Sequence, residues 1–335
     1  MAVFNKKIIL ITGGTGSFGK KCVETLLSRY QPRKVIIFSR DELKQFDMQQ
    51  VFNAPCMRYF IGDVRDKSRL MQACNGVDYI IHAAALKQVP AAEYNPMECI
   101  KTNINGAENV IDAAIANKVQ KVIALSTDKA ANPVNLYGAT KLCSDKLFVA
   151  ANNMVGADCP RFSVVRYGNV VGSRGSVVPF FKGLLKGGEQ TLPITDANMT
   201  RFWITLQQGV DFVFKSFERM YGGEIFVPKI PSVKITDVAE AVAPSLQHEI
   251  VGVRPGEKMH EKMVPRDDSY RTIEFDDHYV ITPSIKFSDG DVDYCRNVCG
   301  ERGNYAEPGF CYDSGSNPDF LSVEDIRTLH DGVGL

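Results

Sequence analysis

The chain has 335 residues, 44% hydrophobic and 23% charged, the balance of an ordinary globular protein with enough length for one large domain or two sharing a core. Lys plus Arg and Asp plus Glu each number 39, so no net charge recruits nucleic acid or an anionic membrane, and an anionic ligand has to be held by local geometry.

The opening MAVFNKKIILIT holds one short apolar run, too short for a signal-peptide core or a membrane span. No later run reaches the roughly 20 apolar residues of a transmembrane helix. Nine cysteines, an odd number scattered through predicted elements, suit a reducing compartment. Cys295, Cys299 and Cys311 form one cluster, but no pattern around them completes a zinc site, so no metal is expected. These features predict a soluble, cytoplasmic protein.

KIILIT (7–12) reads as a first strand and residues 17–30 as the helix after it. Between them TGGTGSFG sets Gly13, Gly16 and Gly19 at G-x-x-G-x-x-G spacing. Glycine permits a tight turn and close backbone approach, and a helix N-terminus offers free N–H groups to a diphosphate. The expected dinucleotide contacts here are Gly13, Thr15, Gly16, Ser17, Phe18 and Gly19.

KVIIFS (34–39) is the second strand, ending in Ser39-Arg40, with Lys44 one helical turn into the next helix (41–52). Arg40 and Lys44 beside a hydroxyl suit the 2′-phosphate of NADP, whereas an NAD enzyme typically carries an acidic residue there. Asp41 argues for NAD, so NADP is favoured without being settled.

CMRYFIGD (56–63) gives a third strand, and Asp63-Val64 at its end lies where an adenine would sit, although Asp63 suits a helix cap equally well. Residues 66–74 form the following helix. VDYIIHAAA (77–85) is the fourth strand, whose Ala83-Ala84-Ala85 leaves room for a cofactor across the strand ends; His82 reads as a core histidine without a catalytic role. One long helical stretch, 93–117, leads to the fifth strand, KVIALST (121–127). On the next helix, 135–154, Tyr137 and Lys141 stand at i and i+4 and share a face. A free tyrosine, with a pKa near about 10, is a poor base at neutral pH. A lysine ammonium and an oxidised nicotinamide beside it stabilise the phenolate, which then takes an alcohol proton as hydride leaves.

RFSVVRYGN (161–169) completes six strands. Near-continuous Val/Ile runs mean strands buried on both faces, and their alternation with helices predicts an α/β fold: a Rossmann-like, doubly wound parallel sheet over residues 1–168. Beyond about 170, GSRGSVVPFF, EQTLPITD, GEIFVPKIPSVKITD and VGVRPGEKMHEKMVP read as short strands mixed with Gly/Pro turns. They predict a smaller, irregular lobe over 169–204 and 229–335 that covers the carboxyl edge of the sheet, where ligands bind in open α/β folds, with roughly 205–228 packing back on the first domain.

TGGTGSFG, HAAALKQVPAAEYNP, STDKAANPVNLYGATK and RYGNVVGSRGSVVPFF together resemble the inverting UDP-N-acetylglucosamine 4,6-dehydratases, a branch of the extended short-chain dehydrogenase/reductases, over nearly the whole chain. The resemblance implies oxidation of UDP-N-acetylglucosamine at C4, elimination of water across C5 and C6, and return of the hydride to C6, the first step toward pseudaminic acid in surface glycans. Carried over, Tyr137 and Lys141 perform the C4 oxidation and Thr127 hydrogen-bonds the C4 oxygen. Asp128 is the acid for the leaving C6 hydroxyl and Lys129 the C5 base, where retaining relatives carry Asp-Glu. As a base Lys129 needs a lowered pKa, expected from burial and from the Lys141 and nicotinamide charges. Asn169 matches a sugar-nucleotide position, Lys87 the loop over nicotinamide and sugar, Arg201 and Arg254 the diphosphate clamps, and Glu257 the uridine ribose. The resemblance also implies a sugar nucleotide as the ligand of the smaller lobe, and a homo-oligomer, a hexamer being one form. A UDP-sugar 4-epimerase or a retaining dehydratase is the nearer rival, and Asp128-Lys129 argues against both. A non-catalytic NADP-binding regulatory protein would have no use for Tyr137 and Lys141.

Overall fold

The computed structural model describes residues 3–155, 160–172, 176–285 and 292–332. Six parallel strands, β1 (Ile8–Thr12), β2 (Lys34–Ser39), β3 (Met57–Ile61), β4 (Tyr79–His82), β5 (Lys121–Thr127) and β6 (Arg161–Tyr167), alternate with helices α1 (Ser17–Arg29), α2 (Glu42–Val51), α3 (Lys67–Ala73), α4 (Val89–Tyr94), α5 (Pro96–Ile100), α6 (Gly106–Ala116) and α7 (Leu136–Ala150). Their sheet order 3-2-1-4-5-6 is that of a doubly wound Rossmann fold. Every residue of β1 is buried, and helices cover both faces, which explains the unbroken Ile/Val runs.

The stretch predicted as one helix over 93–117 is broken. Pro96, without an N–H, starts α5 and ends α4 at Asn95, and a π-helical segment, Lys101–Asn105, joins α5 to α6. The π segment turns Asn103 inward, where its amide donates to the Leu86 carbonyl at 2.9 Å and to the Thr140 hydroxyl at 3.0 Å. The loop after β4 is thereby tied to α7.

After β7 (Asn169–Val170) the chain forms α8 (Val177–Lys186) where the sequence pattern suggested short strands and turns; Ser173, Arg174 and Gly175 lie outside the described residues. Pro179 stands in the first turn of α8, where its missing N–H costs nothing, and Val177, Val178, Phe181 and Leu184 place apolar groups at helical spacing. Then come β8 (Thr191–Ile194), β9 (Thr200–Ile204), α9 (Leu206–Arg219), β10 (Ile225–Pro228), β11 (Ser232–Lys234), α10 (Ile235–Val242), β12 (Gln247–Ile250), β13 (Lys262–Val264), β14 (Thr272–Glu274), β15 (His278–Ile281), β16 (Asn304–Tyr305), β17 (Tyr312–Asp313) and α11 (Val323–Gly332). A Thr205–Gln208 capping box starts α9, which packs on α1, β5 and β6.

β10 joins the main sheet parallel to β6, and β15, β14 and β16 extend it antiparallel to ten strands. The chain thus returns to the large sheet within the range that the sequence pattern assigns to the smaller lobe. The lobe's own strands pair as β11-β9-β7, β12-β8 and β13-β17. No helix among the described residues is long and apolar enough to cross a membrane.

Candidate active site

A cavity of about 640 Å³ runs across the carboxyl ends of β1 to β6, at the switch point between β1 and β4. At one end it is walled by the glycine turn. Gly13 has φ +65°, and a Cβ there would lie 2.9 Å from the Ala84 backbone; a Cβ on Gly19 would overlap the Gly14 backbone. A backbone packed this closely admits only glycine. Helix α1 opens into the cavity with no acidic residue in its first turn, so nothing competes with an anion for its N-terminal N–H groups. Donor set and shape together fit a dinucleotide diphosphate.

Of the predicted cofactor residues, Gly13, Thr15, Gly16, Ser17, Phe18, Gly19, Arg40, Lys44, Asp63, Val64, Ala83, Ala84, Ala85, Lys87, Tyr137 and Lys141 all line this cavity. Ser39 is fixed by the Thr15 hydroxyl at 3.1 Å, while Gln45 donates to the Ser39 and Phe60 carbonyls and locks the ends of β2 and β3 together. Asp41 is the N-cap of α2, accepting from the Lys44 N–H at 2.9 Å. Asp63 lies 3.6 Å from Arg40 and accepts from Arg65; burial alone would raise its carboxyl, but Arg65 outweighs that and holds it below the usual range.

Toward the middle of the cavity stand Thr127, Lys129, Tyr137, Lys141 and Asn169. Asn135 caps α7 by accepting from the Gly138 N–H at 2.8 Å, which starts the helix with Tyr137 in its first turn. Burial pushes the Tyr137 phenol up to about 12, with Lys129 and the Thr127 hydroxyl pulling the other way. Burial lowers the Lys141 ammonium, and the Asp145 carboxylate one turn further on opposes that. Asp145 is fully buried, accepting from the Ser126 hydroxyl at 2.8 Å and from Arg166 at 3.1 Å. The sequence expectations do not include it, although its place four residues after Lys141 on one helix is a usable signal. His82 is buried with Nδ1 on the Thr12 hydroxyl at 2.8 Å; burial lowers its pKa to about 3.

Asp128 lies behind the cavity wall and is completely buried, reached from the cavity through Thr127, whose hydroxyl donates to Oδ1 at 2.9 Å. Burial raises its carboxyl, opposed by Lys129. Lys129 differs from expectation. Burial alone would lower its ammonium, but Asp128 and Glu261, each with an oxygen 3.1 Å from Nζ, reverse the direction and raise it. Its close partners are carboxylates, not Lys141. Glu261 had no sequence signal, because its partner stands in a distant part of the chain.

Arg201, Arg254 and Glu257 do not line the cavity. The buried Arg201 guanidinium donates to the Thr200 and Met259 carbonyls at 2.7 and 3.2 Å. Arg254 is exposed and 3.7 Å from Glu257, on a loop held to the start of α7 by the Asn135 amide, which donates to the Gly256 carbonyl at 2.8 Å. Eight described cysteines carry free thiols, and no group of metal-ligating residues gathers among the described residues.

The profile of the polysaccharide biosynthesis protein family matches residues 9–283. A UDP-N-acetylglucosamine 4,6-dehydratase (inverting) of Campylobacter jejuni subsp. jejuni serotype O:2 is 66% identical over 327 residues, 98% of each chain. A UDP-glucose 4-epimerase of Rickettsia massiliae is 45% identical over 339 residues, covering 98% of this chain and 96% of its own. Among solved structures, Pen from Bacillus thuringiensis superposes with a TM-score of 0.88 at 36% identity, over 99% of both chains. The glycine turn, the Tyr137–Lys141 pair and this full-length likeness lead to one conclusion: the chain belongs to the polysaccharide biosynthesis protein family, on the branch of the inverting UDP-N-acetylglucosamine 4,6-dehydratases.

Proposed function

We propose that the protein converts UDP-N-acetylglucosamine to the C5-inverted 4-keto-6-deoxy sugar nucleotide, using tightly held NADP. The observation that carries this reading is a single cavity shared by the glycine turn, the Tyr137–Lys141 pair and Lys129. The 66% identity to the Campylobacter enzyme supports the same substrate.

When bound, the nicotinamide dinucleotide supplies a hydride acceptor for C4 and a hydride donor for C6. The glycine turn and the start of α1 would hold its diphosphate, Arg40 and Lys44 would favour a 2′-phosphate over a bare ribose, and Asp63 and Val64 would border the adenine. Tyr137 takes the C4 hydroxyl proton, its phenolate stabilised by Lys141, while Thr127 orients the C4 oxygen. The C4 ketone acidifies the C5 proton, Lys129 removes it, and Asp128, whose carboxyl burial raises, supplies the proton for the departing C6 hydroxyl through the Thr127 side of the cavity. Protonation of C5 from the opposite face inverts that centre. Asn169 and Lys87 meet the sugar, and Arg254 and Glu257, on the loop beside the Gln88 rim, receive the uridine diphosphate and its ribose.

Proton NMR of the purified protein with UDP-N-acetylglucosamine in deuterated water, without added cofactor, tests the reading. The expected result is a new C6 methyl signal with deuterium at C5 and the couplings of the inverted sugar. The Rickettsia relatives support one rival, a 4-epimerase that needs only Tyr137, Lys141 and Thr127. Interconversion of C4 epimers without a methyl signal would establish that rival and overturn the dehydratase.

A further inference from the structure

We propose that Glu261 accepts the proton Lys129 has to release before it acts at C5, making Glu261 a positioning residue that sets the protonation state of that lysine. The proposal rests on the reading of Lys129 as the C5 base.

Glu261 stands just before β13 and is 2% exposed. Its backbone is clamped on both sides: the N–H donates to Ser314 Oγ at 2.9 Å, and the carbonyl accepts from the Ser314 N–H at 2.8 Å. Oε1 lies 3.1 Å from Lys129 Nζ. Oε2 is buried without a hydrogen-bond partner, 3.7 Å from Lys258 Nζ. A buried carboxylate with an open oxygen, in contact with a lysine on the cavity wall, has both the reach and the spare capacity to take a proton.

Asp128, the other carboxyl on Lys129, is unsuited to that task. Among the described residues Lys129 is its one ion-pair partner, and burial raises its carboxyl. Around Glu261 the charged and titratable neighbours are Asp128 and Lys129 from the turn after β5, Arg201 from β9, Lys258 and His260 from its own segment, and Asp313 from β17. Burial would raise Glu261, but Lys129, Arg201 and Lys258 outweigh it and keep the carboxylate ionised at rest.

The protons balance along this line. The proposed cycle starts with a proton on Asp128, an ammonium on Lys129 and a carboxylate on Glu261. An N–H bond of Lys129 breaks as an O–H forms on Glu261, freeing the nitrogen pair. That pair takes the C5 proton of the 4-keto sugar, and the C–H electrons pass into the C5–C6 double bond as the C6 hydroxyl departs with the Asp128 proton as water. Asp128 is then a carboxylate beside an ammonium. Lys129 returns a proton to Asp128 and regains one from Glu261, restoring the starting state. The proton later delivered to C5 comes from outside this trio.

The test uses the purified holoenzyme with UDP-N-acetylglucosamine. In Glu261→Gln, kcat is expected to fall about 10²-fold with KM changed far less, and reduced nicotinamide to accumulate, because C4 is oxidised while elimination stalls. Lys129 then has to lose its proton to solvent, so kcat of E261Q climbs about tenfold per pH unit where the wild type is flat. Glu261→Asp, which keeps a carboxylate, restores most of kcat and the flat profile. A wild-type kcat in E261Q, or a loss that does not vary with pH, overturns the proposal. Should E261Q fail to match the wild-type melting temperature, Glu261→Asp alone decides: it is expected to keep most of kcat with the flat pH profile, and an E261D of wild-type melting temperature that loses kcat about 10²-fold overturns the idea. Failure of the underlying reading looks different, since Lys129→Ala would then take up C5 deuterium at the wild-type rate.

Discussion

Gly138 lies against Lys129: a Cβ on Gly138 would overlap the Lys129 carbonyl oxygen. The helix that carries Tyr137 and Lys141 therefore rests directly on the short turn that carries Asp128 and Lys129, and only a residue without a side chain permits that contact.

Gly138→Ala is expected to push the start of α7 away from this turn. We expect at least a tenfold loss of kcat with a lower melting temperature, since overpacking typically costs about 1–3 kcal/mol. Steady-state kinetics beside a thermal melt check it, and an unchanged kcat would show that the two pairs need no such close support.

Asp145→Asn leaves Arg166 buried without its carboxylate partner and strips Lys141 of its nearby negative charge. Removing one partner of a buried ion pair costs about 3–5 kcal/mol, so a large drop in the urea midpoint is expected. Activity should fall too, because Lys141 without Asp145 gives up its proton more readily and supports the phenolate less.

Much of this site is legible in the sequence, and what is missing shares one property. The glycine turn, Ser39-Arg40, Ala83-Ala84-Ala85 and Tyr137-x-x-x-Lys141 are local patterns at strand ends, and a doubly wound sheet brings all strand ends to one edge. Glu261 and Asn103 escape because each acts on a residue far along the chain, and their neighbours in sequence carry no hint of it. Helix α8 escapes because Val177 and Val178 beside Pro179 suggest a strand, whereas packing of Phe181 and Leu184 decides for a helix. Arg254 looks like a clamp by residue type alone, yet its place on an exposed loop is set by the fold around it.

His82 makes stability depend on pH. Its folded pKa, about 3, lies below the ordinary value of 6.5, so the unfolded chain binds the extra proton. The contribution is fully present above 6.5 and is lost as pH falls from there toward about 3. His82→Asn keeps an acceptor for Thr12 without that titration. Urea unfolding across this range should show a shallower fall of stability for the variant relative to its value at neutral pH.

Arg40→Ala should weaken NADP binding about 10-fold or more and leave NAD nearly unaffected, because a guanidinium serves a 2′-phosphate and has little to offer a ribose hydroxyl. Titration of apoprotein with each dinucleotide checks it; equal losses for both would remove the argument for NADP.

The antiparallel strands β15, β14 and β16 close the far edge of the main sheet with residues up to Tyr305. During synthesis the ribosome exposes β1 to β6 long before those strands exist, so a nascent half-protein carries an unpaired, apolar margin beside β6. Such a margin invites pairing with other chains. Premature termination anywhere before β14 is thus a hazard for aggregation rather than a mild trimming, and vectorial folding of this protein ends only when almost its whole length has emerged.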